Sequence, residues 1–66
     1  MTIQEIRDRF LDVWKRHQED YEAFMAQIAN GLLHSASSLI AQEKADACGV
    51  LRARYEHFDR LAQALR

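Results

Sequence analysis

Proline is absent from this 66-residue chain, and glycine occurs only at Gly31 and Gly49. Because proline and glycine are the residues that most often interrupt helices, their scarcity favours long uninterrupted helices. Alanine, leucine, arginine, glutamate and glutamine, which make up much of the remainder, are good helix formers. The composition therefore predicts an all-α protein.

Cysteine is nearly absent as well. Cys48 is the only one, so no disulfide can form within the chain, and we expect a reducing cytoplasm. A chain this short buries only about 60% of the surface that it exposes when unfolded. Without a disulfide framework, the usual remedy for so small a core is a metal or a partner subunit. We expect a partner subunit, most simply a second copy in a homodimer.

Long apolar runs and an excess of one charge are also missing. No run approaches the roughly 20 residues that span a bilayer, and the opening MTIQEI lacks the features of a signal peptide. We therefore expect no membrane association. Nine basic and ten acidic residues give a net charge of −1. A nucleic-acid partner is disfavoured, because binding phosphates requires a basic surface.

The first half of the chain has the pattern of an amphipathic helix. Thr2 and Glu5 have the spacing of a capping box, with Met1 and Ile6 as its hydrophobic staple. After this start the apolar face recurs at steps of three and four residues, which is the period of a helix. Its members are Ile3, Ile6, Phe10, Val13, His17, Tyr21, Phe24 and Ile28.

The second half repeats this pattern in reverse order, at Ile40, Lys44, Ala47, Leu51, Tyr55, Phe58, Ala62 and Leu65. Antiparallel pairing about His34 sets Phe10 against Phe58 and Phe24 against Lys44. The same pairing sets Val13 against Tyr55, His17 against Leu51, and Ile28 against Ile40. The two faces together predict an antiparallel two-helix hairpin.

The stretch GLLHSASS, residues 31–38, is where we expect the chain to reverse. Asn30 and Gly31 favour a left-handed helix stop, and Ser35, Ser37 or Ser38 would cap the next helix. The predicted single domain, residues 1–66, has a helix over 2–33, a turn within 31–38 and a helix over 38–65. One continuous helix, or a break near residues 42–45, is the alternative.

The apolar face of each predicted helix is wider than a single seam between two helices can cover. Leaving several large side chains in water forfeits about 5–10 kcal/mol, which is comparable to the stability of a whole domain. Two hairpins would bury the excess as a four-helix bundle. The predicted interface residues, which serve self-association or another protein, are Phe10, Trp14, Tyr21, Met25, Leu32, Tyr55 and Phe58.

Two polar residues interrupt the apolar faces. His17 is interpreted as a core histidine that bonds to Tyr55 or to a carbonyl across the bundle, or as a pH switch whose protonation loosens it. Lys44 would lay its stem along the apolar surface, or set the register. Cys48 is a small half-buried side chain, or a thiol activated by the nearby cations of Lys44 and Arg52.

The sequence contains no motif that indicates chemistry. His34 stands beside serines, but serines in a turn are better explained as helix caps. The three histidines lack the Glu-x-x-His spacing of di-metal bundles, and no Cys-x-x-Cys or His-x-x-x-His occurs. We predict no catalytic residue, no metal and no cofactor, and therefore a protein that is not an enzyme.

Two stretches resemble known families. The MTIQE opening and the run QEKADACGVL resemble the repressor-of-primer family of dimeric two-helix hairpins. That resemblance implies a nucleic-acid-binding regulator that contacts RNA through the outer face of its first helix, where Gln18 is the suitable residue. The segment VLRARYEHFDRL resembles small helical proteins of tailed phages, which implies an accessory role in phage assembly. Our first hypothesis is a non-enzymatic protein-interaction module, and the regulator is the alternative.

Overall fold

The computed structural model describes residues 1–31 and 35–65, and over these ranges its regular secondary structure is all α-helix. Helix α1 runs over Ile3–Ala29 and helix α2 over Ser37–Ala64. The start of α1 lies beside the end of α2, because Phe10 stacks on Phe58. Nearer the turn, Lys44 lies over the ring of Phe24. The predicted antiparallel hairpin and the pairing of these residues are confirmed, and one continuous helix is excluded.

Helix α1 begins where its sequence predicts. The hydroxyl of Thr2 accepts a hydrogen bond from the backbone N–H of Glu5 at 3.1 Å, which satisfies one of the free amides of the first turn. Met1 and Ile6 line the same depression, as a staple across the cap requires. This end of the hairpin is therefore fixed by local chemistry as well as by packing.

Helix α1 ends earlier than residue 33, so that predicted boundary is wrong. Its last residue is Ala29, and Asn30 is the cap, with its N–H bonded to the carbonyl of Ala26 at 3.0 Å. Gly31 follows with a φ of +100°, a conformation that glycine adopts without strain. This left-handed residue stops the helix although the apolar pattern continues. Leu32 and His34, the predicted centre of the turn, lie outside the described residues.

Helix α2 begins without the predicted serine cap. Ala36 occupies the N-cap position, and this cap has no side-chain hydrogen bond. Ser37 is instead the first helical residue and is buried, with 8% of its surface exposed. The predicted serine cap is therefore wrong, because Ala36 precedes the helix and Ser37 lies within it.

The seam between the helices follows a seven-residue repeat. In α1, Ile3, Phe10 and Phe24 form one row of this repeat, and Trp14, Tyr21 and Ile28 form the next, all half-buried. A heptad seam keeps two helices in register along their length. The ring that stacks on Tyr55 is that of Trp14, one residue after Val13, and the pairing of Val13 with Tyr55 stays a prediction. Val13 is half-buried and lines a depression beside Phe10.

The hairpin is long and thin, measuring 49 × 16 × 15 Å between its Cα extremes. Its radius of gyration is 15.1 Å, against about 11 Å for a compact domain of this length. Within residues 1–31 and 35–65 only Ala62 and Ser37 are buried, and no large side chain is fully enclosed. The two helices thus form a seam without a closed core.

Candidate interaction surface

Two stacked pairs of rings hold the half of the seam that is farther from the turn. The rings of Phe10 and Phe58 are 5.5 Å apart and 14° from parallel. The rings of Trp14 and Tyr55 are 6.2 Å apart and 18° from parallel. Offset stacking at such distances adds about 0.5–1.5 kcal/mol to the gain from burial alone. All four rings nevertheless remain only half-buried, so each has surface left for a further contact.

Charged side chains line one side of this seam. The guanidinium of Arg52 lies 5.9 Å from the centre of the Trp14 ring and bonds to Glu56 at 3.0 Å. About two turns away, Arg7 reaches across the helices to Asp59, with 3.4 Å between their atoms. Arg52 helps to hold the Trp14 ring in place, since a cation over a tryptophan face is attractive.

An open groove of about 330 Å³ lies between the helices on this side of the hairpin. Trp14 and Tyr21 form its aromatic wall, and the small residues Ala45, Cys48 and Gly49 of α2 face them. A Cβ placed on Gly49 would meet nothing within 4 Å, so the groove is open at that point. We name this side the aromatic flank and define it by Trp14, Gln18, Tyr21, Glu22, Ala45, Cys48, Gly49 and Arg52.

Cys48, in the groove of the aromatic flank, does not have the activated thiol that nearby cations would produce. Partial burial raises the pKa of the thiol, and the carboxylates of Asp20 and Glu22 raise it further. The alternative in which Lys44 and Arg52 lower this pKa is wrong, because burial, the largest cause, and then the two carboxylates shift it upward. Lys44 is itself paired with Asp20. Cys48 is therefore a protonated, half-buried side chain at neutral pH.

Lys44 makes a contact at the seam that its position predicted. Its ammonium lies 5.5 Å from the centre of the Phe24 ring and pairs with the carboxylate of Asp20. The side chain is 29% exposed, so its stem covers apolar surface while its charge reaches solvent and a partner. In the half of the seam near the turn, this cation–ring contact occupies the place that stacked ring pairs have in the half near the chain ends.

His17 does not cross the seam. Its Nδ1 donates to the carbonyl oxygen of Val13, 2.9 Å away and one turn earlier in α1, and the side chain is exposed. The predicted bond to Tyr55 or to a carbonyl of the other helix is therefore wrong. The local bond satisfies the ring nitrogen and holds the imidazole along its own helix. A role as a pH switch would require a second chain to cover it, and stays a prediction.

The opposite side of the hairpin is aliphatic. Met1, Ile6, Arg9, Phe10 and Val13 line an open depression of about 220 Å³. On α2, Val50 and Leu61 lie two residues from Arg52 and Asp59. They are therefore about 200° around the helix from those charged residues, on the far side.

Val50 is 52% exposed and Leu61 is 37% exposed. We name this side the aliphatic flank and define it by Met1, Ile6, Val13, Val50, Leu61 and Leu65.

The predicted interface residues divide into two groups. Phe10, Trp14, Tyr21, Tyr55 and Phe58 lie half-buried in the seam of the hairpin. Met25 is 39% exposed and lies seven residues after Gln18, on the aromatic flank. Leu32 falls outside the described residues. Whether any of these side chains also contacts a second chain stays a prediction.

The described residues form neither a metal-binding cluster nor a membrane-spanning helix. Residues 1–31 and 35–65 contain no cluster of three or more histidine, cysteine, aspartate or glutamate side chains placed to hold a metal ion. Over the same ranges, neither helix is apolar over a length that could cross a membrane. The predicted absence of catalytic residues stays a prediction.

Comparison of the chain with models of protein families, with curated proteins and with solved structures gives no match. The surface must therefore be interpreted from its own geometry. The resemblances to the repressor-of-primer family and to small phage proteins stay predictions.

Sequence reasoning missed the two charged contacts of the aromatic flank. Arg7 and Trp14 are recognisable from the sequence as neighbours, but their partners on α2, Asp59 and Arg52, are not. The signal lies in the register. Once Phe10 faces Phe58, Arg7 on α1 lies close to the level of Asp59 on α2, and Trp14 lies close to the level of Arg52.

Proposed function

We propose that this chain is a non-enzymatic protein-interaction module. In this proposal the hairpin pairs with a second copy to form a four-helix bundle and keeps a further surface for another protein. The reducing cytoplasm fits this role, because Cys48 is the only cysteine and needs no partner within the chain.

The observation that carries the proposal is the missing core. Among the described residues, the aromatic and large aliphatic side chains are all at least partly exposed. The chain exposes 5001 Å², against about 4,300 Å² for a folded monomer of its mass. A second chain along the hairpin would remove the surplus apolar surface from water, which is the main favourable term in association.

The aromatic flank supports the second part of the proposal. Tryptophan, tyrosine and arginine are the residues most enriched at the energetic centres of protein interfaces. Trp14, Tyr21 and Arg52 stand together around one open groove. The Trp14 ring is already held by Tyr55 and by the cation of Arg52, so a partner would meet a preorganised side chain.

A nucleic-acid-binding regulator is less well supported. Three of the cations, Arg7, Arg52 and Lys44, are paired with carboxylates within the hairpin. Phosphate binding would require free cations on one face, and affinity would fall steeply as salt rises. We expect no binding to structured RNA or duplex DNA at low salt. Salt-dependent binding there would favour the regulator instead.

The mass in solution tests the proposal. Sedimentation equilibrium at micromolar concentrations should give about twice the chain mass of 7.7 kDa. Because association stabilises the folded state by mass action, the thermal midpoint should also rise with protein concentration. A mass of one chain, together with cooperative unfolding that does not depend on concentration, would refute self-association.

A further inference from the structure

We infer that the groove of the aromatic flank binds a basic amphipathic helix of another protein. A lysine or arginine of that helix lies against the Trp14 and Tyr21 rings and places its charge at Glu22. This inference rests on the second part of the proposed function, the surface for another protein, and adds the chemistry of the partner. Three observations carry it: the shape of the groove, the charge along its rim, and the helices that form both of its sides.

The two sides of the groove differ in size and chemistry. Rings form the α1 side, at Trp14 and Tyr21, and small residues form the α2 side, at Ala45, Cys48 and Gly49. The open volume of about 330 Å³ leaves room for side chains of a partner. A long apolar stem placed there would have rings on one side and no bulky group on the other. Lysine and arginine have such stems below their charges.

Gly49 allows another backbone to approach the groove closely. It lies in the interior of α2, where glycine is about 1 kcal/mol less favourable than alanine. The hairpin itself does not require glycine at this position, because φ is not positive there and a Cβ would meet nothing within 4 Å. A partner helix can therefore pack nearer to α2 at Gly49 than at a position that carries a side chain.

The unbalanced charge at the rim of the groove is negative. Its charged lining residues are Glu22 and Arg52. Arg52 is balanced by Glu56, to which it bonds at 3.0 Å. Glu22 accepts a hydrogen bond of 3.4 Å from the neutral amide of Gln18, and no ion pair within residues 1–31 and 35–65 includes it. A cation of a partner would therefore find a carboxylate that has no cation of its own.

The thiol of Cys48 reports the same sign of charge within the groove. Burial is the largest cause of its raised pKa, and the carboxylates of Asp20 and Glu22 raise the pKa further. Carboxylates that disfavour a thiolate at this point favour a positive charge at the same point. The electrostatics of the α2 side thus agree with the free carboxylate on the α1 side.

A second depression adjoins the groove at Trp14. Its volume is about 300 Å³, and Trp14, Gln18 and Glu22 line both spaces. Its other lining residues are Lys15 and Glu19, so two carboxylates, Glu19 and Glu22, stand against one ammonium group. A basic segment that crosses Trp14 would meet an excess of negative charge there too, whereas an acidic segment would be repelled.

The conformation of the partner follows from the helices on both sides of the groove. The backbone groups along α1 and α2 are used by hydrogen bonds within each helix, so these helices offer no strand edge to an extended peptide. A helix satisfies its own backbone and contributes only side chains. An amphipathic helix enters such a groove through residues three and four apart. The partner segment would therefore lie between α1 and α2 as a third helix.

Titration of the chain with two designed peptides tests the inference. Both peptides are amphipathic helices without tryptophan and share the same leucine face, and their polar faces carry lysine in one and glutamate in the other. The lysine peptide should change the fluorescence of Trp14, the only tryptophan of the chain, and its dissociation constant should rise with salt. The glutamate peptide should bind about tenfold more weakly or worse.

Matched variants locate the binding site. Glu22→Gln keeps an oxygen for the amide of Gln18 but removes the charge, and should raise the dissociation constant of the lysine peptide about threefold to tenfold. Glu43→Gln, the same change at an exposed residue outside the groove, should alter it less than about twofold. Gly49→Met places a long side chain at the open part of the groove and should abolish binding. Circular dichroism should show unchanged helix content in each variant.

The outcomes separate this inference from the proposed self-association, which the mass of the chain alone tests. Equal binding of the two peptides, or binding of neither, would overturn this inference whatever that mass is. Equal effects of Glu22→Gln and Glu43→Gln would overturn the placement of the cation. Dissociation of the dimer by Gly49→Met would show that the second copy fills the groove, which overturns this inference and leaves self-association standing. A monomeric chain that binds the lysine peptide would do the reverse.

Discussion

The two halves of the hairpin are held together by different chemistry. The half near the chain ends has two pairs of stacked rings, formed by Phe10 with Phe58 and by Trp14 with Tyr55. In the half near the turn, Phe24 meets the cation of Lys44 instead of a second ring. Small residues replace large ones there on α2, at Ala41, Ala45 and Ala47.

This difference predicts an uneven distribution of stability. Rings bury far more apolar area than alanines do, and a surface ion pair contributes little because solvent screens it. The half near the chain ends should therefore be the last to open, although a covalent turn closes the other half. The variants below test how much the contacts of each half contribute to the stability of the hairpin.

The largest expected effect is the loss of a stacked ring. Phe58→Ala should lower the free energy of unfolding by about 2–4 kcal/mol, slightly less than for a fully buried ring. Urea denaturation followed by circular dichroism gives this value. Phe24→Ala, the matched change in the other half, should lower it by only about 1–2 kcal/mol. Equal losses would show that both halves contribute alike.

The next effect concerns the cation in the half near the turn. Lys44→Met keeps the apolar stem but removes the charge, so it loses the contact with the Phe24 ring and the pair with Asp20. We expect a loss of about 0.5–1 kcal/mol, reduced because Asp20 is 61% exposed. The salt dependence of unfolding should decrease in the same variant. An unchanged stability would mean that the contact contributes nothing.

A smaller effect of opposite sign is expected at Gly49. A methyl group there meets no atom within 4 Å, and alanine is a better helix former than glycine. Gly49→Ala should therefore stabilise the hairpin by up to about 1 kcal/mol, measured by urea denaturation. Dissociation of the dimer by the same change would show that another backbone packs on this groove.

The smallest effect is the titration of Cys48. Its thiol pKa is raised in the folded chain, first by burial and then by Asp20 and Glu22. The neutral thiol is thus favoured by folding. The stability that this contributes is complete below the pKa of the unfolded chain and is lost as pH rises through the folded pKa. The pH midpoint of alkylation should lie above that measured in urea, and a lower midpoint would contradict the raised pKa.

The register of the hairpin could be predicted from the sequence because it depends on large residues at regular spacing. Phe10 with Phe58 and Phe24 with Lys44 follow from matching two amphipathic patterns in opposite directions. The N-terminal cap could be predicted for a similar reason, since Thr2 bonds to an amide only three residues away. Both features depend on spacing along the chain alone.

The errors concern features that depend on three-dimensional detail. The helical period sets Val13 level with Tyr55, but it does not show that the ring stacked on Tyr55 is that of Trp14. His17 belongs to a seam row by its spacing and yet bonds to its own helix, at the Val13 carbonyl one turn earlier. For Cys48, the choice between nearby cations and carboxylates required distances that the sequence does not contain.

The elongated shape changes how size should be measured. A rod 49 Å long and about 16 Å thick diffuses more slowly than a sphere of the same mass, so one hairpin can elute from a sizing column at the position of a rounder, heavier molecule. Side-by-side association doubles the mass while adding almost no length, so the frictional ratio falls. As concentration rises and dimers form, the sedimentation coefficient should therefore increase clearly, whereas the elution volume from a sizing column should change little.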